Sequence, residues 1–174
     1  MTLADYLNQE LRSDHAGEVG AVEIYRGIKA VAMWRGDHEL MQFADAHGAV
    51  EQQHLRMMEA LVPAEQRSRL QVPWQIAGWL TGAVPALFGR DAVYATIQAV
   101  ETFVDHHYQQ QIDQLSFHPK HNNITGVLIK CQADEVHHRD DAASRIKNTN
   151  PLLRVWCRII GIGSKAAVSV CRRI

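Results

Sequence analysis

Two stretches of this sequence repeat one acid–imidazole spacing, and that repeat limits the folds open to the chain more than any other feature. Glu51 and His54, in VEQQHLRMM, form an E-x-x-H pair, and Glu135 and His138, in DEVHHRDD, form another. Residues three apart sit side by side on one face of a helix, so each pair is spaced to hold one metal ion between its members. With nine glutamates and ten histidines in the chain, chance alone gives about half of one such pair, so the bare motif is suggestive only. The neighbours add the weight. Glu18, in DHAGEVGA, precedes Glu51 by 33 residues, and Glu101, in AVETFVDHHY, precedes Glu135 by 34. Tyr25 and Tyr108 each follow their lone glutamate by seven positions. The chain therefore carries an internal repeat with chemistry in it: a lone Glu, then Glu-x-x-His.

Hydrophobic periodicity is helical throughout and strand signals are scarce. The spacing predicts helices near 3–34, 37–61, 74–88, 91–117, 122–148 and 152–173. Breaks fall at Gly36 with Asp37 as an N-cap, at Pro63, at Gly89 with Asp91, in the Pro119–Asn123 cluster, and at Asn150 with Pro151. At 174 residues the chain is read as one all-α domain over 1–174. Two helical hairpins, 3–61 and 91–148, are joined by an apolar crossover over 62–90, the pattern of a four-helix bundle with one long connection. A basic amphipathic tail over 151–174 completes it.

Four glutamates and two histidines converging inside such a bundle need a cation. Several unpaired buried carboxylates would cost many kcal/mol or be forced to take up protons. Two divalent ions remove that difficulty, and mixed oxygen and imidazole donors suit iron or manganese. The alternative is that some of these glutamates lie on a solvated face. Asp134, just before Glu135, is placed to hydrogen-bond the far nitrogen of a ligand histidine and fix its tautomer; a surface aspartate is the competing reading. His15, His106 and His137 adjoin these residues in sequence but point to other helix faces.

The remaining composition sets the surroundings. Cys131, Cys157 and Cys171 are odd in number and lack C-x-x-C spacing, which argues against a disulfide framework or a thiolate zinc site and for a reducing compartment. From Leu70 to Gly89 the chain has twenty uncharged residues, interrupted by Pro73 and Pro85, so a cover for the bundle or an interfacial segment is expected rather than a spanning helix. Residues 151–174 hold five basic side chains and no acid; with the whole chain at −1, the first 150 residues carry −6, which argues against a nucleic-acid partner. At 100° per residue Arg154, Arg158, Lys165 and Arg172 fall within about 40° of one another, opposite Trp156, Ile159, Ile160, Ala167, Val170 and Ile174. A helix lying on an anionic membrane surface has this pattern, and so does one docked on the bundle or on a second subunit. No glycine-rich dinucleotide fingerprint is present.

In order and across nearly the whole chain, LRSDHAGEVGAVEIYRG, EQQHL, AVETFVDHHYQQQI and DEVHHRDDA closely resemble the demethoxyubiquinone hydroxylase family of ubiquinone biosynthesis. The resemblance implies a ferritin-like bundle with two iron ions that inserts one atom of O2 into the ring of a polyprenylated methoxy-methyl-benzoquinol. It implies Glu18, Glu51, His54, Glu101, Glu135 and His138 as iron ligands, with Glu51 and Glu135 bridging. It also implies that His107 and Tyr108 take part in quinone handling or electron delivery; packing of Tyr108 between helices is the alternative. The sequence begins close to the first ligand helix, so a bacterial enzyme on the cytoplasmic face of the cell membrane, or a mature form at the mitochondrial inner membrane, is expected. Expected partners are the quinol, O2, a membrane surface, and other proteins of the pathway or a second copy. The rival classes are a ferritin-like iron-handling protein and a di-iron hydroxylase of another substrate.

Overall fold

A computed structural model describes residues 2–174 as six α-helices and two single 3-10 turns, with no strand among the described residues. The helices are α1 (Leu3–Arg35), α2 (His38–Leu61), α3 (Gln71–Phe88), α4 (Arg90–Leu115), α5 (Asn122–Arg145) and α6 (Pro151–Cys171). Helices α1, α2, α4 and α5 make a ferritin-like four-helix bundle of two hairpins. The crossover helix α3 lies along α1, and α6 returns along α4 and reaches α1.

Local chemistry sets the breaks. Gly36 adopts a left-handed conformation (φ 67°) that ends α1, and the Asp37 side chain then accepts a hydrogen bond from the Leu40 amide to start α2. Two boundaries differ by three residues from those the periodicity predicts. Helix α3 starts at Gln71, three residues early, because Pro73 falls within the first turn, where its missing N–H has no helical partner to lose. Helix α5 stops at Arg145 rather than 148: the Asp91 carboxylate takes the backbone amides of Lys147 (2.8 Å) and Asn148 (3.2 Å), diverting them from the helix. Helix α6 runs straight through Gly161 and Gly163, which face open space.

Glycine also sets the closeness of α3 to α1. A Cβ at Gly78 would stand 2.3 Å from the Gly20 carbonyl oxygen, and one at Gly82 would stand 1.9 Å from that of Ile24. Backbone meets backbone at both points, and no larger side chain fits. Two apolar clusters fill the bundle, one around Ile28, Leu40, Phe43, Tyr94 and Ile97, the other around Leu7, Met58, Leu115 and Leu128. The repeated Glu and His residues lie between them along every helix.

The tail divides its apolar residues between two surfaces. Trp156 donates its indole N–H to Thr96 (2.8 Å), Ile160 packs on the core, and Arg172 holds the buried Glu10 carboxylate (2.8 Å). Arg172 is thus withdrawn from the free basic stripe expected of it, and Trp156 and Ile160 belong to the docked face. A second apolar ridge, Leu152, Val155, Ile159, Ile162 and Ala166, spans about 80° of the helix and faces solvent, with Ile159 56% and Ile162 69% exposed. Exposed Arg154, Arg158 and Lys165 run beside it. No helix among the described residues is long and apolar enough to cross a membrane.

Candidate metal centre

The repeat spacing acquires a simple geometric meaning in the fold. Glu18 and Glu51 lie at similar distances on either side of the Gly36–Asp37 turn, and Glu101 and Glu135 on either side of the turn near residues 116–121, so all four stand at one height of the bundle. The i, i+3 step places His54 on the same helix face as Glu51 and His138 on the same face as Glu135. All six residues are buried, none more than 3% exposed.

Their donor atoms form two overlapping groups, each within a 4.8 Å span: Glu18, Glu51, His54 and Glu135, and then Glu51, Glu101, Glu135 and His138. Glu51 and Glu135 are common to both. His54 Nδ1 lies 3.0 Å from Glu135 and 3.5 Å from Glu51, while His138 Nδ1 lies 2.9 Å from Glu51 and 3.1 Å from Glu135. Several of these contacts satisfy distance but not hydrogen-bond direction. Both oxygens of Glu51, Oε2 of Glu18 and Nδ1 of His54 are buried and make no hydrogen bond. Buried polar atoms left in this way cost about 1–3 kcal/mol each, more when charged, unless something else binds them. Four carboxylates and two imidazoles around one space balance two divalent cations in charge and match the oxygen and nitrogen preferences of iron and manganese, so the donor set fits a dinuclear centre.

Protonation of the cage without metal points the same way. Burial, then the neighbouring glutamates, raises the Glu18 and Glu101 carboxyls well above the usual range. Burial acts to raise Glu51 too, but the His138 and His54 imidazoles outweigh it and bring that carboxyl down to about 2. Burial acts to lower His138; Glu135 and Glu51 overcome it and push the imidazole up to about 9. Protons thus stand in for cations on both histidines and on the two lone glutamates.

The outer contacts are built on the α2–α5 side. Asp134 on α5 accepts from Nε2 of His54 on α2 (3.0 Å), which turns Nδ1 toward the cage. His47, one turn before Glu51, bonds Asp141 (2.8 Å) and packs edge-on against His138, ring centres 4.4 Å apart. His47 and Asp141 were legible only as an i−4 and an i+3 neighbour of ligand positions, and neither stood out in the sequence. On the α1–α4 side the Tyr108 hydroxyl donates to Glu18 in a short hydrogen bond. Tyr25, its counterpart in the repeat, is pushed up by burial and next by Glu101. Only the Tyr108 hydroxyl is bonded to the lone glutamate of the opposite hairpin; that of Tyr25 is buried and makes no hydrogen bond. His107 is buried against Asp14, His106 is exposed, and His137 faces outward. His15 is buried with neither ring nitrogen bonded, away from the cage.

A cavity of about 310 Å³ opens beside the cage, between α1 and α4 and under α3 and α6. Glu18, Glu101 and Glu135 line its inner end; Ile24, Trp74, Val100, Phe103, Ile160 and Val168 are among its apolar walls. The model of the family described as "Ubiquinone biosynthesis protein COQ7" matches residues 5–171 of this sequence. This chain belongs to the COQ7 family. Among curated relatives, the 3-demethoxyubiquinol 3-hydroxylase of Rhodospirillum rubrum is 32% identical over 180 residues, covering 98% of this chain and 80% of the relative. The mitochondrial NADPH-dependent 3-demethoxyubiquinone 3-hydroxylases of Bos taurus and Dictyostelium discoideum are each 31% identical. They match over 183 and 169 residues, or 100% and 94% of this chain and 82% and 76% of the relatives. The COQ7 membership covers both hairpins, the crossover helix and the tail, so the cage and the cavity both lie inside the matched region.

Proposed function

We propose that this protein is a di-iron monooxygenase that hydroxylates a polyprenylated methoxy-methyl-benzoquinol, the demethoxyubiquinol step of ubiquinone biosynthesis. Glu18 and His54 would hold one iron and Glu101 and His138 the other, with Glu51 and Glu135 bridging. Bound there, a reduced iron pair supplies activation of O2 for insertion of one oxygen atom into an electron-rich ring.

The observation that carries this reading is the apolar cavity running up to the cage. An iron-storage protein needs no 310 Å³ apolar chamber against its metal carboxylates; an aromatic head group does. The cavity walls orient the ring and keep water away, while Tyr108 holds a proton against Glu18 Oε1 and fixes that carboxylate at the cavity's inner end. Tyr108 and His107, both on the wall, are placed to contact the head group. A polyprenyl chain must pass from a bilayer into this chamber. The exposed apolar residues of α3 (Val72, Ile76, Leu80, Phe88) and of α6 (Leu152, Ile159, Ile162), with Arg154, Arg158 and Lys165, fit an anionic membrane surface. The protein would then sit peripherally, on the cytoplasmic face of a bacterial membrane or at the mitochondrial inner membrane, with electrons delivered from outside the chain.

The test is complementation of a strain that accumulates demethoxyubiquinone, with the quinones profiled by mass. The intact gene should clear the intermediate and restore ubiquinone, and Glu135→Ala should do neither. Persistence of the intermediate with folded, iron-loaded wild-type protein would overturn the reading.

A further inference from the structure

A chain of touching rings leads away from the metal cage without entering the cavity. His138 meets His47 edge-on with ring centres 4.4 Å apart, His47 meets Phe43 edge-on at 4.4 Å, and Phe43 meets Tyr94 edge-on at 5.1 Å. These are contact spacings for rings, in the edge-to-face arrangement that aromatic pairs favour. Tyr25 joins from the side, 6.1 Å from both His138 and Phe43. Helices α1, α2, α4 and α5 all contribute, and none of these rings lines the cavity.

The two tyrosines on this path end differently. The Tyr25 hydroxyl is buried and bonded to nothing. The Tyr94 hydroxyl donates to Glu39 Oε1 at 2.8 Å, and the Glu39 side chain is 42% exposed. The Arg145 guanidinium stands over both the Phe43 and Tyr94 rings, 5.5 and 5.9 Å from their centres. A cation held over a ring opposes positive charge on that ring, so an electron leaves Tyr94 most easily together with its proton. Glu39 is the base in place to take that proton.

On the hydroxylase reading above, on which this inference rests, the iron pair gives two electrons to O2 and the hydroxylated C–H bond of the quinol gives the other two. When O2 reacts and no quinol is bound, the last two must come from the protein. We propose that Tyr94 supplies them, and that the ring chain protects the cage ligands by carrying oxidising equivalents away to it. Each oxidation takes one electron and one proton from Tyr94. The electron passes through Phe43, His47 and His138 to the oxidised centre, the proton passes to Glu39 Oε1, and a neutral phenoxyl radical remains. A thiol or ascorbate from solution returns it to tyrosine with one electron and one proton. Two rounds complete the reduction of O2 to water, with the other protons drawn from solvent. Tyr25 has no base for its proton, so the radical settles on Tyr94.

The test mixes reduced, iron-loaded protein with O2 and reads tyrosyl radical by electron paramagnetic resonance in samples frozen within milliseconds. Wild type should give the signal without quinol and lose it about tenfold with a short-chain methoxy-methyl-benzoquinol bound. Tyr94→Phe and Glu39→Gln should each lower the signal about tenfold with iron content and quinol hydroxylation unchanged; the second keeps an acceptor for the Tyr94 hydroxyl but removes the base. After repeated cycles with O2 and ascorbate but no quinol, peptide mass analysis should show more oxygen added at His54 and His138 in Tyr94→Phe than in wild type. A wild type that hydroxylates the quinol but forms no tyrosyl radical, or an unchanged signal in Tyr94→Phe, would overturn the route and leave the hydroxylase reading intact. Folded, iron-loaded wild type that does not hydroxylate the quinol would overturn both.

Discussion

The two long faces of the bundle handle charge in opposite ways. Between α2 and α5, ionisable groups are packed and paired: His54 with Asp134, His47 with Asp141, and His54 and His138 with the shared glutamates. Between α1 and α4 the helices stand apart around a cavity, to which these two helices bring ionisable groups chiefly as Glu18, Glu101, Tyr108 and the Asp14–His107 pair. The helices that carry Glu-x-x-His hold the cage rigid from behind. Those that carry a lone Glu leave space in front, because one carboxylate per helix occupies less of the face than a Glu and His pair. On the function proposed above, the asymmetry of the repeat, one acid against an acid and an imidazole, is also an asymmetry between holding metal and admitting substrate.

The largest effect expected from this contrast is at a carboxylate common to both metal positions. Glu51→Ala removes a donor from each group at once and should abolish paired-iron loading and hydroxylation together, read by metal analysis and turnover. Normal iron content in that variant would end the division between the two faces. One step out, Asp134→Ala releases the outer nitrogen of His54, and outer partners of metal-bound histidines are worth about 10- to 100-fold in affinity or activity. Titration with iron should show that loss, and Asp134→Asn should restore part of it. An equal loss from Tyr108→Phe would mean that the Tyr108–Glu18 bond supports metal as much as the Asp134–His54 bond does; the expectation instead is retained iron and altered turnover.

Removing the metal should expose the charge cost of the holding face as a pH dependence. The His138 imidazole, raised from 6.5 to about 9 by Glu135 and Glu51 against the effect of burial, stabilises the metal-free fold fully below pH 6.5, and that stability is lost as pH rises through 9. Glu18 and Glu101, raised chiefly by burial, act with the same sign, because the folded state binds their protons more tightly than the unfolded state does. The melting temperature of chelator-treated protein should therefore fall between pH 6.5 and 9, while the iron-loaded protein stays nearly flat. A rising melting temperature over that range would show that the histidines of the cage are not protonated.

The holding face was largely readable from the sequence and the admitting face was not. Spacing within one helix is a sequence property, so Glu51 with His54, Glu135 with His138, and the matching Glu18 and Glu101 could be found by counting, and Asp134 by its place beside Glu135. The cross-bundle pairing of His47 with Asp141 depends on how two helices 94 positions apart are rotated against each other, which no local pattern states. The cavity is less legible still. It exists because Gly78 and Gly82 bring α3 onto α1 while α4 stands away, and a missing volume leaves no residue signature. The tail shows the same limit: one apolar stripe in the sequence became two surfaces in the fold, since amphipathic periodicity says that a face is covered without saying by what.

That division of the tail allows the smallest and most selective test of the admitting side. Deleting residues 152–174 would remove Arg172 from Glu10 and unroof the cavity, so a fall in liposome binding could follow from a disturbed bundle. Ile159→Glu with Ile162→Glu changes only the solvent-facing ridge and leaves Trp156, Ile160 and Arg172 in place. Each isoleucine, buried in an interface, contributes roughly 1.5–3 kcal/mol at full burial, and partial insertion realises a fraction of it. Association with anionic vesicles should therefore weaken about tenfold, read by sedimentation, with iron content and melting temperature unchanged. Raised salt should weaken the wild type further through Arg154, Arg158 and Lys165, because charges on an open surface are screened. Unchanged partitioning of the double variant would mean that the ridge meets another protein surface, and the membrane would then have to be reached through α3 alone.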